Sequence, residues 1–235
     1  MKEILHGLSA IMIAGTFVLT PPTSAQTEGE KAIGLVSKVI MDVSRRPSSR
    51  DWTKARRGDI LDGGEAVRTG QQSFAVVKFK DNSLLRIQEK SLVTLTGISD
   101  RGVFQKGAKI NDGIIGFRIQ KQRAGEEFRF TSPTSVASIR GTEGVFALTD
   151  SGDVFTILTG LGRITNLVSM ISVDVPEGYT ALSQVNGRVA VRLASEQERD
   201  AARSASRLSE EERHLRLQLK NRKGETRDLI IDMKE

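Results

Sequence analysis

The residues best equipped for chemistry in this chain are cationic. The stretch SRRPSSRDWTKARRGD (44–59) gathers Arg45, Arg46, Arg50, Lys54, Arg56 and Arg57 around Trp52. Guanidinium groups grip carboxylates and phosphates through paired N–H donors. An indole can stack on a sugar ring or on a cation. The cluster is therefore a candidate binding patch for an anion or a glycan. The competing reading makes it a solvated loop, with Trp52 turned inward as a core anchor. For Trp52 that second reading is preferred; for the arginines the two stand level.

Catalytic chemistry has little to work with. The chain has no cysteine, which excludes a thiol nucleophile and any disulfide. Past the N-terminal segment the only histidine is His214, set between Arg213 and Arg216. A zinc site needs three or four His, Cys or carboxylate ligands, and a Ser-His-Asp arrangement would rest on that single imidazole. No G-x-x-x-x-G-K-[ST] phosphate loop occurs. Carboxylate pairs of the glycosidase kind would have to come from Glu126 and Glu127, adjacent and so on opposite sides of a strand, or from Glu143 and Asp150. The DSGD stretch (150–153) lacks the alternating acids of a calcium loop and reads as a turn. The expectation is no catalytic residue, no metal ligand and no cofactor. A carboxylate-dependent enzyme acting on glycans is kept as an alternative.

The elements that must carry these residues are short strands. FAVVKFK (74–80) alternates with period two, as a strand with one buried face does. Asp81, Asn82 and Ser83 follow as a turn. LLRIQ, SLVTLTG, EFRF, GVFALTDSGDVFTILTG and RVAVRL continue the pattern, and Asn186-Gly187 is a two-residue hairpin signal. With nine Phe, one Trp and one Tyr, the core is expected to be built mainly of Val, Ile, Leu and Ala. Residues 33–193 are thus expected to form an all-β domain, either a short-strand β-sandwich or a β-solenoid-like stack.

The flanks differ. Residues 1–25 have the three-part layout of a signal peptide: Lys2, an apolar run to Leu19, then Pro21, Pro22 and a small-residue cleavage site at Thr23-Ser24-Ala25. Residues 26–32 read as a linker. No later segment is long and apolar enough to span a bilayer. The expected location is periplasmic or secreted, where a net charge of +6 points to anionic polymers or acidic proteins and away from nucleic acid. Residues 195–213 read as a charged helix opened by a Ser195–Glu198 capping box. With Leu208, Ala201, Ala202 and Ala205 as its main apolar residues, it should bury little. Residues 214–235 return to period two as a C-terminal β-hairpin.

One stretch looks worked upon: SPTSVASIRGTEGVFAL (132–148). Pro133 cannot donate to a ladder and marks a strand edge or start. Gly141 and Gly144 permit tight bends. Pro133, Arg140, Gly141, Glu143 and Gly144 are read as a structural corner, with Arg140 expected to clamp it through Glu143 or a carbonyl.

Together with Trp52, Gly58-Asp59, Leu61, Gly64, Val67-Arg68-Thr69-Gly70, Ser73-Phe74-Ala75, Phe79-Lys80-Asp81-Asn82-Ser83 and Leu92 to Leu95, this corner resembles the pattern of a FecR-like domain over roughly residues 33–192. The resemblance implies an extracytoplasmic all-β domain. In the best-understood members it belongs to a transmembrane regulator that relays outer-membrane receptor occupancy to a sigma factor. This chain departs from that plan by opening on a signal peptide, with no cytosolic sigma-binding domain and no internal span. The expectation is a free-standing, non-catalytic binding module that engages a protein partner or an anionic envelope polymer. A structural part in a secreted or envelope assembly is the second reading.

Overall fold

A computed structural model describes residues 32–47, 50–100, 103–122 and 126–206, and the backbone of two further strands, 213–220 and 226–233. The expected signal peptide lies outside the described residues, as does all of the expected linker but Ala32. The first part of the chain forms β1 (Ala32–Ile40), β2 (Val43–Arg46), β3 (Thr53–Lys54), β4 (Ile60–Asp62), β5 (Ala66–Thr69), β6 (Phe74–Phe79), β7 (Leu84–Ile87), β8 (Leu92–Asp100) and β9 (Val103–Asp112). The second part forms β10 (Ile114–Arg118), β11 (Phe128–Thr131), β12 (Ser135–Ile139), β13 (Glu143–Thr149), β14 (Gly152–Thr159), β15 (Leu161–Asn166), β16 (Ser172–Pro176), β17 (Tyr179–Gln184) and β18 (Val189–Leu193). Then come α1 (Glu196–Ser206), β19 (Arg213–Lys220) and β20 (Thr226–Met233).

Strands β1 to β18 make two nine-stranded sheets, ordered β18-β17-β14-β13-β10-β7-β6-β1-β4 and β16-β15-β12-β11-β9-β8-β5-β2-β3. The chain advances sideways, from the β4/β3 end to the β18/β16 end, feeding both sheets as it goes. Pairing is antiparallel except at β9–β11, where the two halves of the second sheet meet in parallel. Of the two expected architectures, the chain adopts the sandwich.

The period-two pattern explains the layering. Ala75, Val77 and Phe79 of β6, Leu85 and Ile87 of β7, and Ile115 and Phe117 of β10 face inward and are buried. They meet Val67, Val93, Ile110, Phe128, Phe130 and Ile164 of the other sheet in one core. Aliphatic residues dominate that core by number, as expected, but its spine is aromatic. Phe79, Phe128, Phe130, Phe117, Phe155 and Phe146 touch in that order with ring centroids 4.9–6.0 Å apart. Such contacts each add about 0.5–1.5 kcal/mol beyond the burial of area.

Helix α1 begins as expected. Ser195 Oγ accepts from the Glu198 amide at 3.2 Å, and Glu198 Oε2 accepts from the Ser195 amide at 2.8 Å. Arg192 on β18 grips both oxygens of Glu198 at 2.7 Å and, even against some burial, holds its carboxyl down at about 2. The helix is not a loose appendage. It lies on the outer face of the first sheet, where Ala202 and Ser206 are buried and Thr156 and Thr180 beneath it share a 2.9 Å hydrogen bond. Gly116 makes this approach feasible, since a Cβ there would sit 2.1 Å from the Ala205 carbonyl oxygen. Residues 207–212, including Leu208, lie outside the described residues, and Arg213 already belongs to β19. The expected hairpin forms with Leu215 opposite Ile231 and Leu217 opposite Leu229. Among the described residues it is a sheet of its own. No helix among them is long and apolar enough to cross a membrane.

Candidate functional site

The basic cluster lies at the β3 edge of the second sheet, and its members separate into two roles. Arg45 points into the end of the sandwich. Its Nη1 donates to Glu65 Oε2 at 2.9 Å and to the Ile60 carbonyl at 3.2 Å, and its Nε stands 3.2 Å from Asp59. The neighbouring loop is fastened by backbone bonds from Ala55 to the Val43 carbonyl and from Gly58 to the Val36 carbonyl. Arg45 is therefore a closing residue and leaves the candidate patch.

The rest of the cluster faces outward. Trp52 is not a core anchor: it is half-buried on the outer surface, with the Arg46 guanidinium 5.0 Å and the Arg68 guanidinium 4.5 Å from its ring centroid. The preference for an inward Trp52 is corrected by a local fact. Its loop runs along the sheet edge, where the inward positions are already filled by Val43, Ala55 and Val67. Arg50, Lys54, Arg56 and Arg57 are exposed around it. Among the described residues neither Arg46 nor Arg68 takes part in an ion pair. Arg68 was missed in the sequence because it stands far from the cluster along the chain. The alternation of Ala66-Val67-Arg68-Thr69 puts it outward, and the register of Ser44 opposite Arg68 brings it beside Arg46. An indole flanked by two guanidinium groups holds their planes ready for a carboxylate or phosphate.

The stretch read as a corner turns between strands and is fastened by other residues than expected. Pro133 is exposed in the turn from β11 to β12. Ser132 Oγ accepts from the amides of Thr134 and Ser135 at 3.0 and 2.8 Å and donates to Asp153; Ser135 Oγ donates to the same carboxylate. Burial raises the Asp153 carboxyl above its ordinary range, against the pull of both hydroxyls. Beside it Asn166 bonds Ser183 Oγ and the Gln184 carbonyl at 2.9 Å. At the crossing between sheets Gly141 takes φ 69°, a left-handed angle suited to glycine. Thr142 exchanges backbone bonds with Ile119. Gly144 sits where a Cβ would come 2.2 Å from the Thr156 carbonyl oxygen. The Arg140 clamp is corrected: Arg140 is exposed, while Glu143 is held by Arg118 at 3.0 and 3.3 Å and by Ser206 of α1 at 3.2 Å. Arg118 lies directly across the ladder from Glu143, whereas Arg140 is on the far side of the bend.

Other acids are also engaged. Asp81 takes Lys106 Nζ at 2.6 Å, Gln122 at 3.0 Å and the amide and hydroxyl of Ser83. Burial pushes its carboxyl upward, but these bonds together outweigh burial and hold it below the usual range. Glu127 pairs with Arg129. Among the described residues no group of three or more His, Cys, Asp or Glu is arranged to hold a metal. A surface cavity of about 440 Å³ is lined by Ile171, Leu182, Gln184, Arg188, Val189 and Ala190, a lining without a carboxylate.

Comparison with known proteins follows the same lines. No curated protein matches the chain. Two crystal structures of a candidate anti-sigma factor from Parabacteroides distasonis are similar in fold. One is 10% identical with a TM-score of 0.50, covering 58% of this chain and 63% of that one. The other is 9% identical with a TM-score of 0.49, covering 58% and 62%. The chain thus spans less than two thirds of the length of that protein. The FecR protein family matches residues 65–165, from Glu65 at the closed end through nearly all of β15. The match takes in the T-G and Ser-Pro landmarks of the resemblance seen in the sequence, while Gly58-Asp59 lies just ahead of it.

Proposed function

We propose that the chain is a non-catalytic interaction module of the cell envelope, exported by its N-terminal signal, and that it works in envelope signalling by binding a protein with an acidic surface. The observation that carries this reading is the Trp52 face: Arg46 and Arg68 stacked on the indole, exposed, and outside any ion pair among the described residues. Lys54, Arg50 and Arg56 surround it. The FecR domain and the fold shared with a candidate anti-sigma factor support a regulatory role over a catalytic one.

The test is affinity capture from envelope extracts with the natural chain and with an Arg46→Ala/Arg68→Ala variant, at rising salt. A captured protein should be lost in the variant. Its retention should also fall steeply between low and physiological salt, since exposed charges are screened within about 8 Å at 0.15 M. An anionic polymer in place of a protein would move the module to the second class of partner. Retention that ignores both salt and the two arginines would end the reading.

A further inference from the structure

The far end of the sandwich carries a different surface. Strand β18 is the last strand of the first sheet and has β17 on one side. The Gln184 amide donates to the Arg188 carbonyl at 2.8 Å, and the Ala194 amide donates to the Gly178 carbonyl at 2.9 Å. In an antiparallel ladder alternate residues turn both backbone groups toward one neighbour. Arg188, Ala190, Arg192 and Ala194 therefore spend theirs on β17. Val189, Val191 and Leu193 turn theirs outward. The side chains of these same three residues share the core-facing side with Ser183, Ala181 and Tyr179, which they pair. At the end of the sandwich that side is uncovered, leaving Val191 36%, Leu193 62% and Tyr179 37% exposed.

The other edges of the two large sheets are defended. Strands β3 and β4 have two and three residues. Strand β16 ends in Pro176 and carries Asp174, whose exposed carboxylate pairs with Arg163 of β15. Short strands, proline and charge each discourage pairing, and β18 has none of these on its core-facing side.

We infer that β18 pairs with β18 of a second copy, antiparallel about a two-fold axis through Val191, so that two first sheets join into one. This register sets Val191 against its own copy and Val189 against the second copy's Leu193. Those are the residues whose backbone groups point outward, so each finds a partner, the Leu193 carbonyl exchanging its 3.3 Å bond from Arg192 Nη1 for a ladder bond. The charges also fit. Arg192 falls opposite Ala190 of the second copy and Arg188 opposite its Ala194, so no like charges stand directly opposite each other. Arg192 is in any case tied to Glu198. On the core-facing side valine and leucine meet valine and leucine, which covers the apolar strip. The axis makes the patch self-complementary, as a two-fold dimer requires.

Because the chain has no cysteine, single thiols read the register directly. Val191→Cys would place two thiols across a hydrogen-bonded pair about 5.5 Å apart at Cα, within the span a disulfide bridges. Leu193→Cys would lie four positions from its own copy, about 14 Å away. Mild oxidation should link Val191→Cys into a dimer, leave Leu193→Cys unlinked, and join Leu193→Cys to Val189→Cys when the two are mixed. In sedimentation, Val191→Lys and Val191→Glu should each be monomers, and an equimolar mixture should restore the dimer. That restoration also shows both variants to be folded; should either fail to fold, the Val191→Cys link decides. A natural chain that stays monomeric up to about 0.1 mM, beyond the range of useful self-association, would overturn the inference. A dimer that survives Val191→Lys would overturn it as well.

Discussion

At the β3–β4 end of the sandwich, Arg45 is locked onto Glu65 and Asp59 and a bonded loop closes the core. At the β16–β18 end, Val191 and Leu193 stand exposed on the last strand of the first sheet, and the Leu193 carbonyl takes only a 3.3 Å bond from Arg192 among the described residues. The same contrast runs inward. The first half joins its sheets through an ion pair, Lys106 to Asp81. The second half joins them through hydroxyls and an amide: Ser132 and Ser135 to Asp153, and Asn166 to Ser183. A charge closes an end because no strand can be added across it without stripping water from the charge. An apolar edge invites addition because burial and ladder bonds both favour it. One end closes on a buried ion pair and the other ends on an apolar strand edge.

The contrast can be broken most forcefully at the closed end. Glu65 retains only 5% of its side-chain exposure beside Arg45. Arg45→Met should leave that carboxylate buried without its cation and cost about 3 kcal/mol in urea unfolding. In the monomer, Val191→Lys at the open end should cost no more than about 0.5 kcal/mol, the scale of surface changes. Equal losses would erase the distinction. Lys106→Met comes next, at about 2 kcal/mol, because Asp81 keeps its bonds from Ser83 and Gln122.

The two inter-sheet carboxylates sharpen the comparison through pH. Asp81 has a folded pKa below its unfolded value of 3.8, so its stabilisation is complete above that value and is lost as pH falls through the folded pKa. Asp153 has a folded pKa above 3.8, so its contribution is complete below 3.8 and is lost as pH rises through the folded pKa. Relative to Asp81→Asn, the natural chain should lose its advantage in acid. Relative to Asp153→Asn, it should lose advantage as acid is neutralised. Chemical unfolding at a series of pH values reads both slopes, and slopes of one sign would refute the division. At the corner, Glu143→Gln should cost about 1 kcal/mol through its bonds to Arg118 and Ser206. Arg140→Ala should cost the least, within about 0.5 kcal/mol; a larger loss would restore the discarded clamp.

The strands were legible because a half-buried strand writes its two faces into neighbouring residues, as FAVVKF and FRFT do. Turns were legible where chemistry demands special angles, as at Asn82 with φ 65° and Gly187 with φ 88°. The capping box of α1 was legible for the same local reason. The docking of that helix was not, because its contact depends on Gly116, about ninety residues back in the chain. Partner choice was not legible either. Arg140 and Arg118 look alike as partners for Glu143 until the ladder places one opposite it.

The sequence by itself determined the all-β character, the turn positions and the scarcity of catalytic groups, since each depends on residue type and on neighbours a few positions away. Only the tertiary structure decided that Arg45 would be spent on Glu65, that Arg68 would join Trp52, and that β18 would be the last strand of the first sheet. Those outcomes depend on which strands lie side by side across two nine-stranded sheets, and that order is set by burial summed over the whole core.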